Sequence, residues 1–479
     1  MQMKTILICG KWVEAADGRV IDVVDPCSGA VFTAISRGGA ADIDLAVRAA
    51  RGALGGDWGA MNAADRGRVL HRLAGLILAN REELARIEAR DTGKPISAAL
   101  ADVNAVARYF EFYGGAADKV HGETIPYLDG YNVSTVRVPL GVTAHIIPWN
   151  YPAQMMGRTL APALAMGNAA VVKPSEDACQ STIRLAELAM EAGLPAGALN
   201  LVTGYGEEAG AALTAHPGID FVTFTGSPEA GALVQRSAAD NHVRCALELG
   251  GKSPQIVFDD ADIERAVPII VKAIVQNAGQ TCSAGSRLLV QRGIYDRFAG
   301  RIAEAFSAVR AGTPEMDLDC GPIVNERQYR RVRRFIDDAV AEGVPVIAKG
   351  TLAPGLPAGG WFVAPVLLGP VERDHPLARH EVFGPVLSLM PFAGEDDAIE
   401  LANATEYGLV AGVWTENGSR QMRVSQRVQS GQVFINCYGA GGGVELPFGG
   451  VKRSGYGRDK GMIALEEMST VKTIVQYYG

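Results

Sequence analysis

Between residues 140 and 310 the chain alternates short apolar runs with longer amphipathic stretches. Runs at 141–147, 169–173, 198–203 and 221–225 are apolar on nearly every position, as buried strands are, rather than alternating as half-exposed strands do. Pro148 closes the first, and stretches with three-to-four spacing at 177–193, 206–216 and 227–238 follow the others. This βαβ rhythm predicts a parallel sheet with helices on both faces. A second alternation follows, with a strand at 255–258, a helix at 263–277, a strand at 287–291 and a helix at 295–310. It predicts a second α/β domain. Ahead of both, residues 60–117 carry helical periodicity, notably at 64–80 and 81–91, ended by the breakers Gly93 and Pro95.

Two stretches fit neither lobe. Residues 125–138 and 470–476 alternate as half-exposed strands do, and an exposed strand edge tends to be covered by another chain. They predict a homo-oligomer, a dimer or a tetramer.

At 479 residues the chain exceeds what one core supports, so two or three domains are expected. A net charge of −8 without any basic run argues against nucleic acid, whose binding requires cationic surface. No apolar stretch reaches the roughly 18 residues of a membrane span, and the apolar start is too short for a signal peptide, so a cytoplasmic location is expected. The seven cysteines are odd in number and scattered, and neither they nor the seven histidines fall at metal-ligand spacing. Free thiols and no metal are expected.

One cysteine stands apart. Cys282 lies in Gly279-Gln280-Thr281-Cys282-Ser283-Ala284-Gly285, thirty-four residues after Glu248 in Leu247-Glu248-Leu249-Gly250-Gly251-Lys252. A thiolate can attack a carbonyl carbon, and a separate carboxylate can activate the water that releases the acyl group. Seen alone, such a cysteine is more often a small buried hydrophobe.

Gly204-Tyr205-Gly206-Glu207-Glu208-Ala209-Gly210 approaches the dinucleotide fingerprint but has one residue too many before its last glycine. Phe224-Thr225-Gly226-Ser227 is the better phosphate candidate, because it leaves a strand and opens a helix where free N–H groups gather; an ordinary helix cap is the alternative. Lys173-Pro174-Ser175-Glu176 ends another strand, where Lys173 can donate to ribose hydroxyls. Glu176 can accept from a 2′-hydroxyl and repel a 2′-phosphate, which favours NAD over NADP.

Together with Pro148-Trp149-Asn150-Tyr151-Pro152, Glu381-Val382-Phe383-Gly384-Pro385 and Pro447-Phe448-Gly449-Gly450, these motifs resemble the aldehyde dehydrogenase superfamily, in order and across nearly the whole chain. The resemblance implies a Rossmann-type NAD-binding domain (1–117 and 139–247), an α/β catalytic domain (248–450) and a small β bridging domain (118–138 and 460–479). It makes Cys282 the nucleophile, Glu248 the base for deacylation and Asn150 an oxyanion-hole donor. It places Ile146, Pro148, Trp149, Lys173, Ser175, Glu176, Gly206, Gly226, Ser227, Leu249, Gly250, Glu381 and Phe383 around NAD. Glu248 favours release of a free acid, because CoA-acylating relatives generally lack this base.

The substrate is expected near Tyr151, Met155, Arg158, Gln276, Thr281, Ser283 and Tyr438. Similar semialdehyde dehydrogenases use an arginine at the position of Arg158 for a substrate carboxylate, yet Gln276 stands where succinic semialdehyde enzymes have a second one. A semialdehyde bearing a carboxylate and an aromatic or aliphatic aldehyde are both carried forward. The loop 438–445, with four glycines, is expected to edge the substrate entrance. A non-catalytic protein of this fold would be expected to have lost Cys282 or Glu248.

Overall fold

The computed structural model describes residues 5–439 and 443–479. An eight-stranded sheet runs in the order Lys11–Val13, Ile6–Ile8, Leu199–Leu201, Ala169–Pro174, Val142–Ile147, Phe221–Thr225, Arg244–Glu248, Gly455–Tyr456. Its five central strands are parallel and the flanking ones antiparallel. Every residue of Ala169–Pro174 is buried, as its unbroken apolar run predicts. From the central strand Val142–Ile147 the chain moves first to Ala169–Pro174 on one side and later to Phe221–Thr225 on the other. The strand order therefore reverses between Val142–Ile147 and Phe221–Thr225, and a crevice opens there at the carboxyl ends of the strands.

A seven-stranded sheet follows in the order Val346–Lys349, Val366–Leu368, Val386–Phe392, Arg287–Gln291, Pro254–Val257, Val410–Trp414, Gln432–Ile435, parallel apart from its first strand. Separate apolar clusters cover its faces, one built on Ile263–Val275 and Tyr295–Ser307, the other on Glu326–Ala341, Glu395–Asn403 and Gly418–Arg427.

The two segments without a place in either lobe pair with each other. Tyr131–Pro139 and Ser469–Tyr477 run antiparallel from Pro139 opposite Ser469 to Tyr131 opposite Tyr477, and Thr124–Ile125 adds a short third strand. Ser469–Tyr477 is an edge of this sheet and exposes Val471, Ile474, Val475 and Tyr477.

Several boundaries differ from the sequence reading. The helix expected at 263–277 stops at Val275, because Asn277 and Ala278 turn left-handed (φ 49° and 54°). The stretch 206–216 is a π-turn, Gly206–Gly210, running into Ala211–Thr214. The helix at 177–193 is confined to Gln180–Glu191, and that at 295–310 ends at Ser307. Residues 125–138 hold parts of two strands separated by a turn at Gly130 (φ 81°). Residues 440–442 of the glycine-rich loop lie outside the described residues. Among the described residues no helix is long and apolar enough to cross a membrane.

Candidate active site

Glu248 is the last residue of a strand of the first sheet, and Pro254 opens a strand of the second. The crossover Leu249–Ser253 passes directly against the Cys282 loop. A Cβ on Gly251 would lie 2.2 Å from the Cys282 carbonyl oxygen, so only glycine lets the two backbones meet. Cys282 itself follows the left-handed turn at Asn277, Ala278 and Gly279.

Asn150 sits between Val142–Ile147 and the helix Pro152–Ala165. Its carbonyl accepts from Lys94 Nζ (3.1 Å) and Asn277 Nδ2 (2.9 Å), while its own Nδ2 donates to the Gln280 carbonyl (2.9 Å). Lys94 is wholly buried between Asp102 (2.6 Å) and Glu88 (3.2 Å), and its ammonium lies 4.3 Å from the centre of the Tyr151 ring. The Tyr151 hydroxyl bonds to Thr281 Oγ1 at 2.8 Å, next to Cys282.

Glu248 is buried, and neither carboxylate oxygen has a hydrogen-bond partner. Burial raises its carboxyl well above the usual range, with Asp459 adding to the rise and Arg158 opposing it. A Cβ on Gly449 would approach Glu248 Oε1 to 2.9 Å, so the glycine pair after Phe448 leaves room for this side chain. Burial pushes the Cys282 thiol up to about 12, opposed by Arg158 and reinforced by Glu248.

Cys282, Glu248 and Asn150 open onto one cavity of about 600 Å³. Its wall holds Ile146, Pro148, Trp149, Lys173, Ser175, Glu176, Gly206, Gly226, Ser227, Gly250, Glu381 and Phe383. Lys173 Nζ pairs with Glu176 Oε2 at 3.0 Å. Ser227 Oγ accepts from the Ala230 N–H, so this serine is a helix cap and a wall residue at once. Trp149 meets the Phe383 ring edge-to-face at 5.4 Å. Glu381 Oε1 accepts from the Gly251 N–H (2.8 Å), and burial raises its carboxyl to about 7. The absence of a Cβ at Gly250, which would stand 2.5 Å from Glu381 Oε2, gives that carboxylate its place. Leu249 does not belong to the wall: its side chain packs beneath Gly231.

The substrate candidates separate into groups. Tyr151 bonds to Thr281, and the Tyr438 hydroxyl donates to the Ser283 carbonyl (2.5 Å). Met155 and Arg158 lie together, with Arg158 Nη1 3.6 Å from the Met155 sulfur, whereas half-buried Gln276 caps the helix Ile263–Val275. Arg158 is buried, stacks on Phe448 at 4.3 Å and donates from Nε to Asp459 Oδ2 at 2.7 Å, while its Nη2 has no hydrogen-bond partner.

Sequence reasoning missed Arg327, Gln328, Arg331 and Tyr407 in the cavity wall, along with the Lys94 and Asp459 pairs behind it. The helical residues belong to an ordinary amphipathic stretch, and Lys94 lies between the helix breakers Gly93 and Pro95. Asp459 gave no signal because its partner is 301 residues away.

A thiol, a buried carboxylate and an amide thus meet at the mouth of a doubly wound sheet. The aldehyde dehydrogenase family model matches residues 12–474, and the chain belongs to that family. It is 41% identical to human retinal dehydrogenase 2 over 98% of this chain and 91% of that protein. Among solved structures, a protein from Burkholderia cenocepacia described as a putative aldehyde dehydrogenase superposes with a TM-score of 0.98 at 59% identity, covering 99% of this chain and all of the other. Betaine aldehyde dehydrogenase from Staphylococcus aureus in complex with NAD+ gives 0.96 at 36% identity, covering 99% and 95%.

Proposed function

We propose that this chain oxidises an aldehyde to the carboxylic acid with NAD, through a thioester on Cys282 that Glu248-activated water hydrolyses. The observation that carries the reading is the single cavity joining Cys282, Glu248 and Asn150 to the Lys173–Glu176 pair and to Glu381.

The wall suits a dinucleotide. Lys173 and Glu176 would hold the adenosine ribose, Gly226 and Ser227 the diphosphate, and Glu381 the nicotinamide ribose. NAD held there supplies the hydride acceptor that converts a thiohemiacetal on Cys282 into the thioester. Glu176 favours NAD over NADP, because a carboxylate facing a 2′-phosphate repels it.

Cys282 Sγ attacks the aldehyde carbon, and the oxygen that gains charge is met by Asn150 Nδ2 and the Cys282 N–H. The Lys94 and Asn277 bonds to the Asn150 backbone carbonyl, with the side-chain Nδ2 donating to Gln280, fix the residue for that task. For release, Glu248 takes a proton from water as the hydroxyl adds to the thioester carbonyl. The C–S bond then breaks and the sulfur recovers a proton. The thiol pushed up to about 12 gives its proton to solvent in the cavity as attack begins, which leaves Glu248 unprotonated for the hydrolytic water.

Arg158 supports an aldehyde without a carboxylate over a carboxylate-bearing semialdehyde. Its guanidinium is already paired with Asp459, and a substrate carboxylate beside it would be a third anion near Asp459 and Glu248. Tyr151 and Tyr438, bonded to Thr281 and Ser283 on either side of Cys282, would present aromatic surface to an apolar aldehyde. The relatives named for retinal and betaine aldehyde fit an aldehyde without a carboxylate.

We place the NAD-binding part at 1–117 and 139–247, the catalytic part at 248–450 and the bridging strands at 118–138 and 460–479. The apolar edge Ser469–Tyr477 supports a dimer or tetramer in which that edge is covered. The test is NADH formation with a panel of retinal, hexanal, benzaldehyde, betaine aldehyde and succinic semialdehyde, with Cys282→Ala as control. Signal that needs NAD and Cys282 supports the reading, and strong preference for succinic semialdehyde reverses the substrate assignment.

A further inference from the structure

Resting on the reading of Glu248 as the base, we propose that the buried Arg158–Asp459 pair is a positioning device for that base, holding its carboxylate and setting its charge by a balance of two opposite neighbours. Arg158 Nη2 stands 3.7 Å from Glu248 Oε2, and Nε is 2.7 Å from Asp459 Oδ2. All three side chains are at least nine-tenths buried. Nη2 has no hydrogen-bond partner, and neither has either oxygen of Glu248. A buried donor and a buried acceptor, both unsatisfied and less than an ångström beyond bonding distance, define a position the carboxylate can occupy by a small side-chain rotation. There Arg158 parks the base, and swinging away leaves Glu248 free to take a proton from water. The stack of Arg158 on Phe448 and its bond to Asp459 keep the guanidinium fixed while the glutamate moves.

The groups facing Glu248 come from three directions. Arg158 approaches from the helix Pro152–Ala165, Cys282 from the nucleophile loop, and Arg458, Asp459 and Lys460 from the segment after Gly455–Tyr456. Arg458 is anchored on the Gly450 and Gly457 carbonyls (3.0 and 2.6 Å). Of the charges that act on the base, Asp459 raises its carboxyl most, and Arg158 is the strongest charge opposing that rise. The two halves of the pair therefore push Glu248 in opposite directions, and removing each must shift the reaction's pH dependence oppositely.

The test uses the acid limb of the rate of thioester hydrolysis, which reports protonation of the base. In Arg158→Gln the limb moves to higher pH, in Asp459→Asn it moves to lower pH, and in the double variant it returns towards wild type. Each single shift is about 1–3 pH units, the range for a charge lost at this separation. Arg158→Lys, which retains the cation, recovers part of the wild-type profile. If a single variant does not fold, the double variant and Arg158→Lys still test the compensation and the rescue. Limbs that stay put, or that move in the same direction in both single variants, overturn the proposal. So does a KM rise in Arg158→Gln restricted to carboxylate-bearing aldehydes, which would make Arg158 a substrate anchor. Absence of NADH formation by the wild-type protein would instead sink the dehydrogenase reading, and an acid limb that Glu248→Gln leaves unchanged would sink the assignment of the base.

Discussion

Lys94→Met removes the cation from a buried cluster of two carboxylates, Glu88 and Asp102, which would then face each other without a counter-charge. Breaking a buried ion pair by deleting one partner costs about 3–5 kcal/mol. Protonation limits the damage. Burial holds the Asp102 carboxyl up at about 6 even with Lys94 opposing the rise, so without Lys94 it takes a proton near neutrality. We therefore expect a loss near the lower end, about 3 kcal/mol, or roughly 6 °C in Tm at ~2 °C per kcal/mol for large domains. The sign follows from linkage: a folded carboxyl held above its unfolded value near ~4 binds the extra proton in the folded state, so the variant loses stability as pH rises. Thermal melts of wild type, Lys94→Met, Asp102→Asn and the double variant, at matched scan rate and at pH values on both sides of 6, measure this. The double variant should melt higher than the sum of the single losses predicts, because the neutral amide that replaces the Asp102 carboxylate needs no cation. Turnover should fall in Lys94→Met, since the Asn150 carbonyl loses one of its two donors. A Tm within a degree of wild type, or strict additivity, would refute the reasoning.

Asn150→Ala should lower kcat by about 10²–10³ with KM little changed, as loss of an oxyanion donor does; an unchanged kcat would remove Asn150 from that role. Glu176→Gln should narrow the preference for NAD over NADP by raising NADP-dependent turnover, read from kcat/KM with each cofactor; an unaltered ratio would shift the discrimination elsewhere. His145 is fully buried between Thr143 and Thr159, and burial holds its pKa down to about 3. Its neutral form thus contributes stability that is present above the unfolded pKa near ~6.5 and is lost as pH falls towards 3. The Tm advantage of wild type over His145→Gln should accordingly shrink below pH 6.5, and an advantage that grows there would contradict the assignment.

Local pattern carried the fold where burial is uniform. The runs at 169–173 and 221–225 emerge as central strands because both faces of each are covered, and periodicity reads that directly. It failed where the backbone departs from regular geometry. The helix expected to run to Asn277 ends where Gln276 turns extended and Asn277 and Ala278 turn left-handed, which leads into the Cys282 loop. The segments 125–138 and 470–476 were recognisable as strands, but their mutual pairing joins residues over 330 positions apart, which local pattern does not encode. The site divides in the same way. Cys282, Glu248, Lys173 and Glu381 stand in compact motifs, whereas Asp459 and Arg331 pair with groups 301 and 50 residues away, and Lys94 reaches the site through the Asn150 carbonyl, 56 residues on. Arg158 lies beside the site with its Nε on Asp459, a partner that its position in the sequence does not reveal.

The central claim is covalent passage through Cys282 with Glu248 needed for release. Its most direct measurement mixes Glu248→Gln rapidly with NAD and a turned-over aldehyde, following NADH and then the mass of the Cys282 peptide. The account predicts a burst of NADH stoichiometric with subunits, a slow steady state, and the acyl group retained on Cys282. Wild-type turnover in the variant, or a burst that leaves Cys282 unmodified, would contradict it.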